Sequence, residues 1–173
     1  MLSKLKTSLP YFSPDRRQSL ILGNFDYSAI RFMVVDKDGN PKEKGFADLP
    51  EVQQDMEVFS SNIQQYGFDP DFDIVQKTNL SMDAIKKTLA MYSRRIADNS
   101  DSNKKTLTLV YYGGHGMMKD NMSQIVMPDS KKKIPLYNLE SRLRSLGELD
   151  NSFVIGIFDC CREAYDEGMF PPV

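Results

Sequence analysis

A three-layer α/β/α sandwich around a mainly parallel central sheet is the fold this sequence predicts, on three observations. Short β-prone apolar runs recur along the chain at 19–25, 72–76, 106–112 and 152–158. Between them lie stretches whose apolar residues step by three and four, the spacing of one helical stripe. Strands joined by helices of that length form right-handed parallel crossovers, which place helices on both faces of the sheet.

The first run, Ser19 to Phe25, is apolar and closed by Gly23 and Asn24, as in a strand buried on both faces. Ile30 to Val35 is a second β-prone run, and Asp38-Gly39 after it signals a turn, so a small hairpin precedes the first helix. From Pro50, residues Val52, Met56, Phe59, Ile63 and Tyr66 share one stripe, with proline suited to the helix start and Gly67 to its end. Phe72 to Gln76 reads as a strand. Ser81 is an N-cap for a second helix carrying Ile85, Leu89, Tyr92 and Ile96, and polar Asp98 to Lys105 reads as a loop. Thr106 to Tyr112 is a central strand rich in β-branched and aromatic residues. Gln124 to Met127 reads as a short edge strand closed by Pro128. Leu136, Leu139, Leu143 and Leu146 before Gly147 predict a third helix, and Ser152 to Phe158 the last strand.

Length and composition bound the rest. A chain of 173 residues supports one compact core, here an N-terminal extension at 1–17 followed by one domain at 18–173. Its 22 basic residues are slightly outnumbered by 24 acidic ones, and Lys131, Lys132 and Lys133 form the one basic run, which reads as a solvated loop. Nucleic acid is therefore not an expected partner. Met1 to Leu9 alternates lysine with leucine and lacks the apolar core of a secretory signal. No stretch reaches the length of a membrane span, so a cytoplasmic protein is expected. The two cysteines, Cys160 and Cys161, are adjacent and cannot staple distant parts of the fold, which suits a reducing compartment.

Parallel sheets gather reactive groups where strands deliver loops at their carboxyl ends. Two loops fit: Gly113-Gly114-His115-Gly116 after Tyr111-Tyr112, and Asp159-Cys160-Cys161-Arg162 after Phe158. His115 is the one histidine, so any Cys-His pair must use it. A thiol attacks a carbonyl as thiolate, and a neighbouring imidazole takes the thiol proton and later returns it to the departing amine. The amides of Gly116 and Cys161 are the natural donors to the oxyanion. Taken singly, His115 reads as a polar turn residue and Cys161 as a small buried hydrophobe. Together, 46 positions apart (115 to 161) in two loops after strands, they read as a catalytic pair.

Those residues resemble a family. Tyr-Tyr-Gly-Gly-His-Gly at 111–116 and Asp-Cys-Cys-Arg at 159–162 are similar to the histidine and nucleophile loops of caspase-like cysteine peptidases, most of all paracaspases. The resemblance extends to the strand at Leu20 to Asn24, the helix containing Asp55, and Tyr66-Gly67-Phe68 at its exit. It implies a cysteine endopeptidase with His115 as base and Cys161, before Arg162, as nucleophile, while Cys160 falls at a variable position. It also implies that Asp55 and Asp159 line the pocket for the side chain before the scissile bond. Two carboxylates there favour cleavage after Arg or Lys.

The resemblance further implies two strands and cleft loops beyond the nucleophile, whereas this sequence stops at Val173, 12 residues later (161 to 173). A small-subunit-like C-terminal half or a second protomer is therefore the expected partner, alongside a protein or peptide substrate. Met117 to Met122 contains Asp120 alone where many metacaspases carry an acidic calcium loop, so no metal or cofactor is expected. The rival readings are a catalytically incomplete scaffold of the same fold and a nucleotide-binding loop at 113–116. The loop lacks both the Rossmann glycine spacing and the Walker lysine. A zinc site lacks enough ligands at usual spacing.

Overall fold

A computed structural model describes residues 14–161 except 102 and 130–133, together with 163 and 164. The chain runs β1 (Arg16–Gly23), β2 (Phe32–Val35), β3 (Pro41–Lys44), α1 (Glu51–Gln64), β4 (Ile74–Thr78), α2 (Met82–Asp101) and β5 (Thr106–Gly113). It continues through β6 (Gly116–Lys119), β7 (Met122–Val126), β8 (Leu136–Tyr137), α3 (Leu139–Gly147), β9 (Ser152–Asp159) and β10 (Glu163–Ala164). The main sheet has the order β4-β1-β5-β9 and every pair in it is parallel. The predicted mainly parallel sheet is therefore present, with β2 and β3 pairing antiparallel as the predicted hairpin.

Side-chain alternation along β1 builds the three layers, because successive residues point to opposite faces. Leu20 and Leu22 pack with Ile85, Leu89, Tyr92 and Ile96 of α2 and with Leu139, Leu143 and Leu146 of α3. Ile21 faces the other way, against Val52, Met56 and Ile63 of α1. The stripe of α1 is thus as predicted except at Tyr66, which is exposed beyond the helix end. The start of α2 is capped twice. The Ser81 hydroxyl accepts from the Ala84 amide at 3.2 Å, and the Asp129 carboxylate, 47 residues away, accepts from the Met82 amide at 2.8 Å.

Several expectations are corrected. The stretch Asp98 to Asp101 is not loop, because α2 continues through it. The apolar stripe ends at Ile96, but polarity reports exposure rather than backbone conformation. The strand read from Phe72 begins at Ile74. Phe72 is exposed in the preceding turn, where Asp69 accepts from the amides of Asp71 and Phe72. Leu136 belongs to β8, not to the third helix, because the Asn138 side chain caps α3 by accepting from the Ser141 amide at 2.8 Å.

Gln124 to Met127 is not an edge strand. β7 lies inside a second sheet of order β10-β6-β7-β8, joined to β6 by Asp120 and Asn121 at φ 53° and 59°. Two left-handed residues make the two-residue turn that matches hairpin twist. Four residues of β6 were too few to show a period. Ser152 to Phe158 is neither the last strand, since β10 follows, nor buried on both faces. Among the described residues β9 is the open edge of the main sheet, and Phe153, Ile155 and Ile157 are 51%, 49% and 39% exposed. Their register partners in β5, Leu107, Leu109 and Tyr111, put them on the α1 side of the sheet. The lysine run, the first nine residues and Arg162 lie outside the described residues. No helix among the described residues is long and apolar enough to cross a membrane.

Burial holds the phenols of Tyr27 and Tyr92 up at about 12, against an ordinary 10.0. A folded-state value above the unfolded one means that the stabilisation is fully present below pH 10 and is lost as pH rises toward 12, because only unfolded phenols ionise in that window. Stability measured by denaturant titration is accordingly expected to be unaffected by these phenols up to about pH 9 and to fall above pH 10. The phenolate absorbance of these buried tyrosines should appear together with unfolding; ionisation of all phenols near pH 10 in the folded protein would contradict this.

Candidate active site

The two chemistry-bearing loops leave the main sheet in register. Gly113 at the end of β5 is opposite Asp159 at the end of β9, and the Gly114 amide donates to the Asp159 carbonyl at 3.3 Å. His115 and Cys161 each lie two residues further on. Parallel strands about 4.8 Å apart thereby deliver both side chains to one end of the sheet. One cavity of about 430 Å³ is lined by His115, Cys161, Cys160, Asp55 and Asp159, so the structure brings together every side chain that the sequence singled out.

The backbone of His115 is held on both sides. Its amide donates to the Tyr27 hydroxyl at 2.9 Å, and its carbonyl accepts from the Tyr112 hydroxyl at 2.9 Å. With the Tyr112 proton so directed, the Tyr27 hydroxyl donates to the Tyr112 oxygen, 3.4 Å away. Burial raises the ionisation of both phenols, so both stay protonated at neutral pH. The imidazole packs edge-on to Tyr27, with centroids 4.6 Å apart, and against Phe46 at 4.8 Å. Its Nε2 lies 2.8 Å from the Ala47 carbonyl. A carbonyl can only accept, so Nε2 carries the proton and the neutral ring keeps its lone pair at Nδ1.

Gly114 is required by this arrangement. At φ +147°, a Cβ would lie 2.7 Å from both the Tyr27 and Tyr112 hydroxyl oxygens. Gly114→Ala is expected to cost about 2 kcal/mol of stability, read as a lowered midpoint in denaturant unfolding, because neither phenol can withdraw from the core. An unchanged midpoint would mean that the loop repacks.

Cys161 is exposed and Cys160 half-buried, and neither is in a disulfide. Cys160 packs at the border of the core shared by α2 and α3. A Cβ at Gly116 would meet Cys160 Sγ at 2.6 Å and the Cys161 carbonyl at 2.7 Å, so glycine there permits the loop carrying both cysteines to approach β6. The Val126 amide donates to the His115 carbonyl at 2.9 Å, which makes residues 115 and 126 a hydrogen-bonded pair. The next pair, Gly116 and Ile125, is then non-hydrogen-bonded, and the Gly116 amide points away from β7.

Carboxylates line the same cavity. Asp55 and Glu51 are one turn apart on α1, and Asp159 follows from β9. The Tyr111 hydroxyl donates to Asp159 Oδ2 at 3.0 Å, and the Tyr111 ring stacks on Phe59 with centroids 4.7 Å apart.

A family model for the caspase domain matches residues 16–172. The chain belongs to the caspase-domain family. That is a family of cysteine peptidases, and the parallel sheet with its helices agrees with a caspase-like fold. No curated protein matches the chain. Within this caspase-like domain, sequence reasoning missed Ala47, Tyr27, Phe46 and Glu51. Ala47 contributes a backbone carbonyl, which leaves no mark in residue type. Tyr27 and Phe46 reach His115 only through tertiary packing. Glu51 had a legible signal, four residues before Asp55 on the same helix face.

Proposed function

We propose that this chain is a cysteine endopeptidase that cleaves after Arg or Lys. The observation that carries the reading is the shared cavity, in which His115 and Cys161 meet Asp55 and Asp159. His115 Nδ1 takes the Cys161 proton, the sulfur attacks the scissile carbonyl, and the oxyanion is received by the amides of Gly116 and Cys161. As the intermediate collapses, the C–N bond breaks and the proton on Nδ1 passes to the departing amine, leaving a thioester. Water then gives a proton to Nδ1 and attacks the thioester carbon. Collapse of the second intermediate releases the carboxylate and restores the thiol. The Ala47 carbonyl keeps the imidazole in the tautomer that this cycle needs and stabilises the imidazolium formed in it.

Asp55 and Asp159 receive the cationic side chain before the scissile bond, as in paracaspases, the branch this sequence most resembles. The reaction calls for no cofactor, and the reading places it in the cytoplasm. The exposed apolar side chains of Ile155 and Ile157 on β9 support a partner that completes the domain along this strand, either a small-subunit-like C-terminal half or a second protomer. The same face supports a second reading, a catalytically incomplete scaffold that acts through protein contacts. Assay of the protein, co-expressed with any downstream coding sequence, on peptides with Arg, Lys or Asp before the bond separates the readings. Hydrolysis after Arg or Lys that requires Cys161 supports the peptidase; no turnover and no thiol labelling supports the scaffold.

A further inference from the structure

Tyr111 is a residue to which neither the catalytic pair nor the two pocket aspartates assigns a task. Its side chain is buried on the α1 face of β5, and α1 holds it through the stack on Phe59, where the ring planes are inclined by 24°. Its hydroxyl reaches out of that layer to Asp159 Oδ2 at 3.0 Å. Asp159 itself is exposed, at the last position of an open edge strand, and its register partner is Gly113, which has no side chain to brace it. Among the hydrogen bonds of the described residues, the Tyr111 phenol is the side-chain group that anchors the Asp159 carboxylate.

We propose that Tyr111 is a positioning residue for substrate specificity, fixing the Asp159 carboxylate so that its second oxygen faces a cationic guest in the cleft. This rests on the reading of Asp55 and Asp159 as the pocket for a basic side chain. A phenol suits the task because it donates one hydrogen bond and adds no charge to offset the acid. It also stays a donor across the working range, since burial, followed by the hydrogen bond to Asp159 and the charges of Asp159 and Asp55, raises its ionisation. An unbraced aspartate would spend much of its time turned to water, and a guanidinium or ammonium guest would have to restrict it on binding. A phenylalanine at 111 keeps the ring and its stack on Phe59, and loses the hydrogen bond alone.

The test compares labelling of Cys161 by two acyloxymethyl ketones, one with arginine and one with uncharged norleucine at the position before the reactive carbon. The sulfur bonds to the methylene carbon as the carboxylate leaves, so each rate reports cleft occupancy without turnover. In Tyr111→Phe the arginyl rate is expected to fall about tenfold while the norleucyl rate holds. In Asp159→Asn the arginyl preference should fall at least as far. If Asp159→Asn removes the preference and Tyr111→Phe leaves it intact, the role of Tyr111 is wrong and the pocket stands. If Asp159→Asn has no effect, or the wild-type chain is not labelled, the pocket reading fails and takes this inference with it. Equal loss of both rates in Tyr111→Phe would make Tyr111 a strut of the fold, which also overturns the proposal.

Discussion

Cys161→Ala is expected to lower peptide hydrolysis by about four orders of magnitude or more, and His115→Ala by a comparable factor. The two losses should not add, because nucleophile and base act as one unit: without the thiol the base has no proton to take, and without the base nothing takes the proton from the thiol. Cys160→Ala is the discriminating control. Its sulfur packs against Gly116 and the core rather than standing exposed, so it should lower stability and retain turnover. Steady-state assay of the three variants, with unfolding curves for each, checks this. Activity that survives Cys161→Ala and vanishes in Cys160→Ala would reassign the nucleophile.

The second large effect concerns the guest side chain. Asp55→Asn and Asp159→Asn keep size and remove charge. Each is expected to lower kcat/KM on peptides with Arg before the scissile bond by about ten- to a hundredfold, the range for hydrogen bonds to charged groups. Peptides with an uncharged residue there should change little, because neither His115 nor Cys161 is altered. The double variant should lose the preference for basic residues altogether. Faster cleavage after Asp than after Arg by the unaltered protein would overturn the assignment of both aspartates.

Much of the fold was legible because its central strands and crossover helices are amphipathic or fully apolar over long windows. The stripes Val52-Met56-Ile63 and Ile85-Leu89-Tyr92-Ile96 turn to the sheet as their spacing requires. Apart from the exposed face of β9, what was misread is short or polar. β6 has four residues and β8 two, too few for any period, and the last turn of α2 lies beyond its apolar stripe.

The sequence by itself determined which chemistry is available. One histidine and two adjacent cysteines admit a single kind of pair, and placing them after apolar strands puts them at the carboxyl end of a parallel sheet. Only the tertiary structure decided how that pair is held. The Ala47 carbonyl on the imidazole, the phenols of Tyr27 and Tyr112 on the His115 backbone, and the Tyr111 hydroxyl on Asp159 are contacts between residues 3 to 88 positions apart. Such contacts carry no periodic signature. A backbone carbonyl is present at every residue, and a buried tyrosine looks like any other core aromatic until the chain packs and its hydroxyl finds the group it must hold.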